Sequence, residues 1–281
     1  MTDVSASAVA ANVEAQARSV RQGSLLSSSR VRWVCAALLW IAAWWGVVVA
    51  FGVSKDFLPT PYEVVRRIVV LAYEPLGAGT LWWHAWTSIV RLLSGFVAAV
   101  AIGVPLGLTM ALVRPINYLV RPLFELFRYV PPIAWAPFAI FWFGAGNNAQ
   151  AYVIFTAAFP PVLINSYRGV QMIDQRLIDA ARTLGARAHT ILAEVALPGA
   201  MPYVMTGLRI GLAGGWMALI AAEIVASTGS RDGLGYLILQ GQQSLSADLT
   251  IGAMVMIGII GATIDLGLQW LNAWFDAWRI Q

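Results

Sequence analysis

Residues 92–113 read LLSGFVAAVAIGVPLGLTMALV, 22 positions without one charged side chain. A helix crosses the hydrocarbon core of a bilayer in about 20 residues, so this stretch predicts a membrane-spanning helix. Residues 34–53 repeat the signal over another uncharged run. Further apolar runs follow along the chain. Residues 130–143 begin at the Pro131-Pro132 break and borrow from the segment before it, and residues 151–167 are interrupted by Pro160-Pro161. Residues 204–226 hold Arg209 and Glu223, and residues 249–271 hold Asp265. The expectation is an all-α integral membrane protein with six transmembrane helices.

Composition agrees. Of 281 residues, 59% are hydrophobic and 11% charged, with mean hydropathy +0.71. An average soluble domain carries about 25% charged residues, so an ordinary soluble enzyme, a disordered chain and a nucleic-acid binder are all excluded. Thirteen tryptophans suit a bilayer, where indole partitions to the headgroup region. The single cysteine, Cys35, forms no internal disulfide. An even span count puts both termini on one side. With that side cytoplasmic, five of the 18 basic residues (Lys55, Arg66, Arg67, Arg91 and Arg231) fall outside and thirteen inside. That is the orientation the positive-inside rule favours. A cleaved signal peptide is a poor reading of residues 34–53, because the run is too long and more than thirty residues precede it. Residues 1–33 read as a mobile cytoplasmic tail and 34–280 as one membrane domain.

In the longest outer loop, 54–86, Pro59-Thr60-Pro61 stops one element and starts the next. Val64, Val65, Ile68, Val69 and Ala72 then recur at helical spacing opposite Arg66 and Arg67, predicting a short helix on the outer membrane face. The largest inner segment, about 168–203, predicts two helices. Residues 174–184 read as a helix: Leu177, Ala180, Ala181 and Leu184, with Ile173 just before it, share one face, and Gly185 suits the position just past a helix end. A second helix over 187–195 is expected to stop before Pro198. From pattern alone this loop either covers the membrane surface or offers another protein a face made small by Ala180 and Ala181.

Several chemistries are missing. A phosphate-binding G-x-x-x-x-G-K-[ST] loop needs a lysine, and the only one, Lys55, has no glycine loop before it. His84 and His189 fall on opposite sides of the membrane with no cysteine beside either, so no zinc site of usual spacing is expected. Neither G-x-S-x-G nor H-E-x-x-H occurs. No catalytic residue and no metal ligand is assigned.

The inner loop carries a family resemblance. Asp179-Ala180-Ala181-Arg182-Thr183-Leu184-Gly185, then nine residues, then Val195-Ala196-Leu197-Pro198, resembles the "EAA…G…I-x-L-P" loop of bacterial ABC importer permeases. Asp stands for the usual Glu at 179 and Val for Ile at 195. Phe57-Leu58-Pro59-Thr60-Pro61, residues 128–137 (RYVPPIAWAP), Phe141-Trp142-Phe143-Gly144, residues 197–202 (LPGAMP), Thr206-Gly207-Leu208-Arg209 and Ala221-Ala222-Glu223 are similar to the nitrate/taurine/alkanesulfonate permeases. The resemblance covers about 57–271. It implies a type I ABC importer transmembrane domain in the bacterial cytoplasmic (inner) membrane, paired with a second copy of itself. It also implies two ATPase subunits that hold ATP and Mg, an extracytoplasmic substrate-binding protein, and no cofactor on this chain. Asp179, Ala180, Ala181, Leu184, Gly185, Leu197 and Pro198 then belong to a coupling element seated on the ATPase. The implied cargo is a small anion, with taurine or another alkanesulfonate first and nitrate next.

Other residues admit two readings. Gly207, Gly211 and Gly215, like Gly103 and Gly107, recur at a spacing that lets helices touch backbone to backbone, within one subunit or across a dimer. Glu223 lacks a cation at helical spacing and is a candidate for the translocation path or its outer gate. Arg128, Pro131 and Trp135 join it as candidates, although Arg128 also suits a pair with Glu125, and Trp135 and Trp142 suit interfacial anchoring. Asp265 reads as a structural hydrogen-bonding group, and Arg91 and Arg209 as side chains snorkelling from span ends. Two functions of other classes compete: an ion-coupled secondary transporter, which would show inverted repeats, and a scaffold that recruits a cytoplasmic partner.

Overall fold

The computed structural model describes residues 29–54, 56–225 and 232–279. Among the described residues the protein is helical, apart from one isolated bridge between Leu76 and Gly79. The chain divides into two compact units, Met1–Glu63 and Val64–Gln281. In the first, α1 spans Ser29–Phe51. It begins inside the stretch expected as tail, whose residues 1–28 lie outside the described residues, as do Lys55 and Arg231. Helix α2, Pro61–Tyr73, starts with a reciprocal cap: Thr60 N donates to Glu63 Oε2 at 2.8 Å, and Glu63 N to Thr60 Oγ1 at 3.3 Å.

The second unit is built on three helices: α3 (Leu81–Leu112), α6 (Asn147–Gln171) and α8 (Leu197–Val225). Small residues let them meet closely, as lipid-embedded helices require. A Cβ on Gly107 would stand 2.5 Å from Leu163 O, and one on Gly211 3.0 Å from Ala158 O. Gly207 and Gly215 likewise face α6, against Pro161 and Ile154, so the whole stripe packs inside one subunit. Leu92, Ile154, Leu212 and Leu219 fill the middle of this trio. At one end, Leu71, Leu81, Leu234, Leu237 and Leu249 form a layer joining α2, α3, α9 (Leu234–Gln243) and α10 (Ala247–Arg279). At the other end, Leu108, Val170, Ala196 and Ala200 form its counterpart.

Among the described residues, four helices are long and apolar enough to cross a membrane, over Val34–Phe51, Leu81–Leu112, Ala188–Val225 and Ala247–Trp270. The third expected span instead contains a 3-10 turn, Pro132–Trp135, and α5, Ala136–Phe143. Together they rise about 20 Å, short of the roughly 30 Å hydrocarbon core. The segment before it packs beside the same helices, Phe124 on Met110 and Leu163 and Phe127 against Phe159, so the crossing is shared between the two, as expected. Helix α4, Arg114–Phe127, ends before Arg128–Pro131, because consecutive prolines remove two backbone donors. The fourth expected span lies within α6, which carries Pro160 and Pro161 without ending.

The second inner helix also differs from expectation. Ala188–Thr190 runs into a π-helical turn, Ile191–Ala196, and then directly into α8. Pro198 does not stop it. The wider π turn sits just ahead of the proline, where an ordinary i→i−4 bond would be missing anyway. Part of the outer loop 228–248 is likewise helical, as α9.

Candidate functional site

Helix α7, Gln175–Thr183, carries the inner loop. Asp174 caps its start, accepting from Arg176 N at 3.0 Å. Its end is closed by Ala186 N donating to Ala181 O and Gly185 N to Arg182 O, both 3.0 Å, with Gly185 at φ 82°. That pair of bonds needs a left-handed residue at 185, which glycine supplies without a Cβ clash. The apolar positions separate onto two faces. Ile178 is buried against the bundle, while Leu177, Ala180 and Leu184 form an exposed stripe, with Leu184 87% accessible. Ala181 is half-buried between them. Asp179 is exposed and accepts from its own helix: Gln175 Nε2 at 3.2 Å and Arg182 Nη1 at 3.3 Å. Leu197 is half-buried and Pro198 exposed at the start of α8.

The far end of α8 holds a buried polar cluster. Glu223 is fully enclosed, and its Oε1 accepts from Ser88 Oγ at 2.7 Å and from Arg91 Nη1 at 3.0 Å. Its Oε2 accepts from Gly235 N at 2.8 Å, and Leu234 N donates to Ser88 Oγ at 2.9 Å. The logic is that of a helix N-terminus, whose first amides have no partner inside the helix. Gly233, at φ 100°, precedes α9 and has no side-chain oxygen, so Ser88 and Glu223 on α3 and α8 serve as its cap. Arg91 also donates Nε to Asn147 Oδ1 at 2.8 Å and pairs through Nη2 with the Asp232 carboxylate. A Cβ on Gly233 would lie 2.5 Å from Glu223 Oε1, so the turn fits only because that atom is absent. The cluster ties α3, α6, α8 and the start of α9 together.

Arg91 is therefore not a snorkelling side chain. It lies about 15 Å into α3, which begins at Leu81, and is 2% exposed. Ser88, Asn147 and Asp232 join Arg91 in the cluster with little to mark them in the sequence. The one local signal was Asp232-Gly233-Leu234-Gly235 before an apolar run, a helix start with no capping oxygen of its own. Arg209 differs from expectation too: its Nε and Nη2 donate to the two oxygens of Asp265 at 2.8 and 3.0 Å, joining α8 to α10.

The remaining candidates gather elsewhere. Arg128 Nε lies 2.7 Å from Glu125 Oε2, and its guanidinium lies 4.9 Å from the centre of the Tyr129 ring. Arg128 and Tyr129, with Phe124, Pro160, Pro161 and Ile164, line a cavity of about 310 Å³. Pro131 is exposed, and Trp135 packs on Phe127 and Tyr152 with ring centres 5.3 and 6.3 Å away. Glu223 does not line that cavity.

Residues 103–281 match the family described as binding-protein-dependent transport system inner membrane component. A putative ABC transporter permease protein of Methanocaldococcus jannaschii is 38% identical, covering 84% of this chain and 87% of the relative. The taurine transport system permease protein of Escherichia coli is 36% identical over 85% of this chain and 86% of its own length. The bicarbonate transport system permease protein of Synechococcus elongatus is 35% identical, covering 85% and 87%. A chain of the MetNI methionine ABC transporter, solved in an inward-facing conformation, shares the fold at TM-score 0.52 and 20% identity, over 67% of this chain and 97% of that one.

Proposed function

The chain belongs to the family of binding-protein-dependent transport system inner membrane components, and from that membership we propose that it forms half of the pore of an ATP-driven importer for a small anion. Permeases of this kind work with an ATPase and a substrate-binding protein. Here we assign two ATPase subunits and a second copy of this chain. Both termini face the cytoplasm, matching the excess of arginine on that side. ATP and Mg stay on the ATPase, and this chain contributes no catalytic group. The relatives named for taurine and bicarbonate support a small-anion cargo. A taurine-like sulfonate leads, with nitrate next, and the binding protein performs most of the selection.

The observation that carries the reading is the division of α7 into a buried Ile178 and an exposed Leu177–Ala180–Leu184 stripe. An amphipathic helix with an unpartnered apolar stripe suits a groove on another protein. Asp179 and Ala181 flank the stripe, the Gly185 turn holds it at a fixed angle, and Leu197 and Pro198 begin the helix that carries its motion. The continuous helical stretch Ala188–Val225 is 38 residues, about 55 Å. It links the coupling loop to the Glu223 cluster as one rigid lever, so closure of the ATPase pair would rock the outer end of the pore. In that motion Glu223 acts at the outer gate through the residues it ties, while Arg128, Pro131 and Trp135 face the path. The test is co-purification with the partner ATPase and ATP-dependent uptake in proteoliposomes, for the parental chain and for Gly185→Glu. Loss of both in the variant is expected. Unchanged uptake with unchanged co-purification would refute the coupling role, and uptake without ATP would favour a secondary transporter.

A further inference from the structure

Among the described residues, two arginines lie within the helices long enough and apolar enough to cross a membrane, and they are housed in opposite ways. Arg91 is shut inside the Glu223 cluster. The Arg209 side chain is 53% exposed and that of its partner Asp265 42%. Arg209 stands about 18 Å along α8 from Leu197 and about 24 Å from Val225, well inside the span. An ion pair at that depth is costly against lipid and belongs beside a bundle interior or a water-filled cavity. Nor is this face of α8 turned to α6; within its own subunit it lies beside α10. Gly207, Gly211 and Gly215 take the α6 side, while Thr206, Ile210, Ala213 and Met217 share the exposed side with Arg209.

We propose that Arg209 is the residue that contacts the translocated anion, with Asp265 as the counter-ion that keeps the contact brief. This deepens the permease reading and rests on it. The donor arithmetic supports it. Asp265 occupies Nε and Nη2, and Nη1 has no hydrogen-bond acceptor among the described residues. A guanidinium edge suits oxyanions such as a sulfonate or bicarbonate. Conduction needs binding strong enough to enter and weak enough to leave. A bare guanidinium in a low-dielectric path would hold an anion too long, and a carboxylate already paired with it lowers that hold. Asp265 is itself steadied by Gln269, whose Nε2 donates to Oδ2 at 2.8 Å. The pair borders a cavity of about 120 Å³ with walls from Leu212, Trp216 and Leu268, so an alkyl chain attached to the anionic head meets apolar surface.

The experiment uses the full complex in proteoliposomes, with taurine, ethanesulfonate and bicarbonate as probes. Arg209→Gln with Asp265→Asn removes both charges and leaves side chains that still hydrogen-bond each other. It should assemble, keep ATPase activity stimulated by the binding protein, and lose uptake by about tenfold or more. Uptake at the parental rate would overturn the proposal. The charge exchange, Arg209→Asp with Asp265→Arg, restores the pair but moves the cation to α10. Recovery of full uptake would mean that only the pair matters and would also overturn it. Arg209→Lys provides a milder readout, because an ammonium lacks the planar fork. The ratio of sulfonate to bicarbonate uptake should shift, and an unchanged ratio counts against contact. If the unmodified complex moves none of the three probes, the sulfonate or bicarbonate cargo falls, and the contact assigned to Arg209 falls with it.

Discussion

Arg91 Nη1 and Glu223 Oε1 lie 3.0 Å apart with side-chain exposures of 2% and 0%, although the residues are 132 positions apart in sequence. A charge buried this deeply is tolerated only because every side of it is answered: Ser88, Asn147, Asp232 and the amide of Gly235 complete the set. The cluster fastens the short helix α9 to the ends of α3 and α8.

Removing one member should therefore be severe. Arg91→Met leaves Glu223 and Asp232 without their cation and is expected to destabilise the detergent-solubilised protein by about 3–5 kcal/mol. Combining it with Glu223→Gln should recover part of the loss. Thermal unfolding of the two variants checks this, and equal stability of single and double variants would contradict it.

The turn before α9 makes a separate prediction. Gly233→Ala places a methyl at φ 100° and 2.5 Å from Glu223 Oε1. The expected cost is at least about 1–3 kcal/mol, with amides 234–243 exchanging faster than those of α3. Hydrogen exchange followed by mass spectrometry would show whether the loss is local.

On α7 the two faces should respond in opposite ways. Ile178→Ala empties a buried site and should cost about 2–5 kcal/mol of stability. Leu184→Asp changes an exposed residue, so stability should stay within about 0.5 kcal/mol while ATPase co-purification falls. If Leu184→Asp keeps full co-purification, the stripe is not the docking face.

Packing between α6 and α8 is tested by size. Gly211→Val must push on Ala158 O and Val162, and about 1–3 kcal/mol of destabilisation is expected from overpacking. Gly267, which has open space where a Cβ would stand, should accept alanine with little change in unfolding temperature.

Much of this was legible beforehand, for reasons that differ by element. Helix α7 appeared close to its expected bounds because its signals are local: an aspartate at the start, a glycine at the end and apolar residues three and four apart. The single face expected for Ile173, Leu177, Ala180, Ala181 and Leu184 missed Ile178, since periodicity gives the angle between residues but not which angle points to the bundle. Pro198 misled, because a proline's effect depends on the turn ahead of it, here a π turn. Prolines 131 and 132 marked a real break, yet the helix beyond it is too short to cross a bilayer alone and shares the crossing with α4.

The opening run of 22 uncharged residues, with too little charge elsewhere to solvate a surface, was enough to place the chain in a membrane. Its solitary lysine, with no glycine loop before it, was enough to leave this sequence without a phosphate-binding loop of the usual pattern, because these properties are sums over residues and survive any folding. The fate of its few charges is not such a sum. Arg91 and Arg209 look alike in sequence, each an arginine in an apolar helix. One is enclosed by Glu223 and Asp232, and the other is left half-exposed beside Asp265. Whether an ion inside a membrane is buried, paired or open to a path depends on which distant groups the fold brings within about 3 Å, and that proximity exists only once the helices have packed.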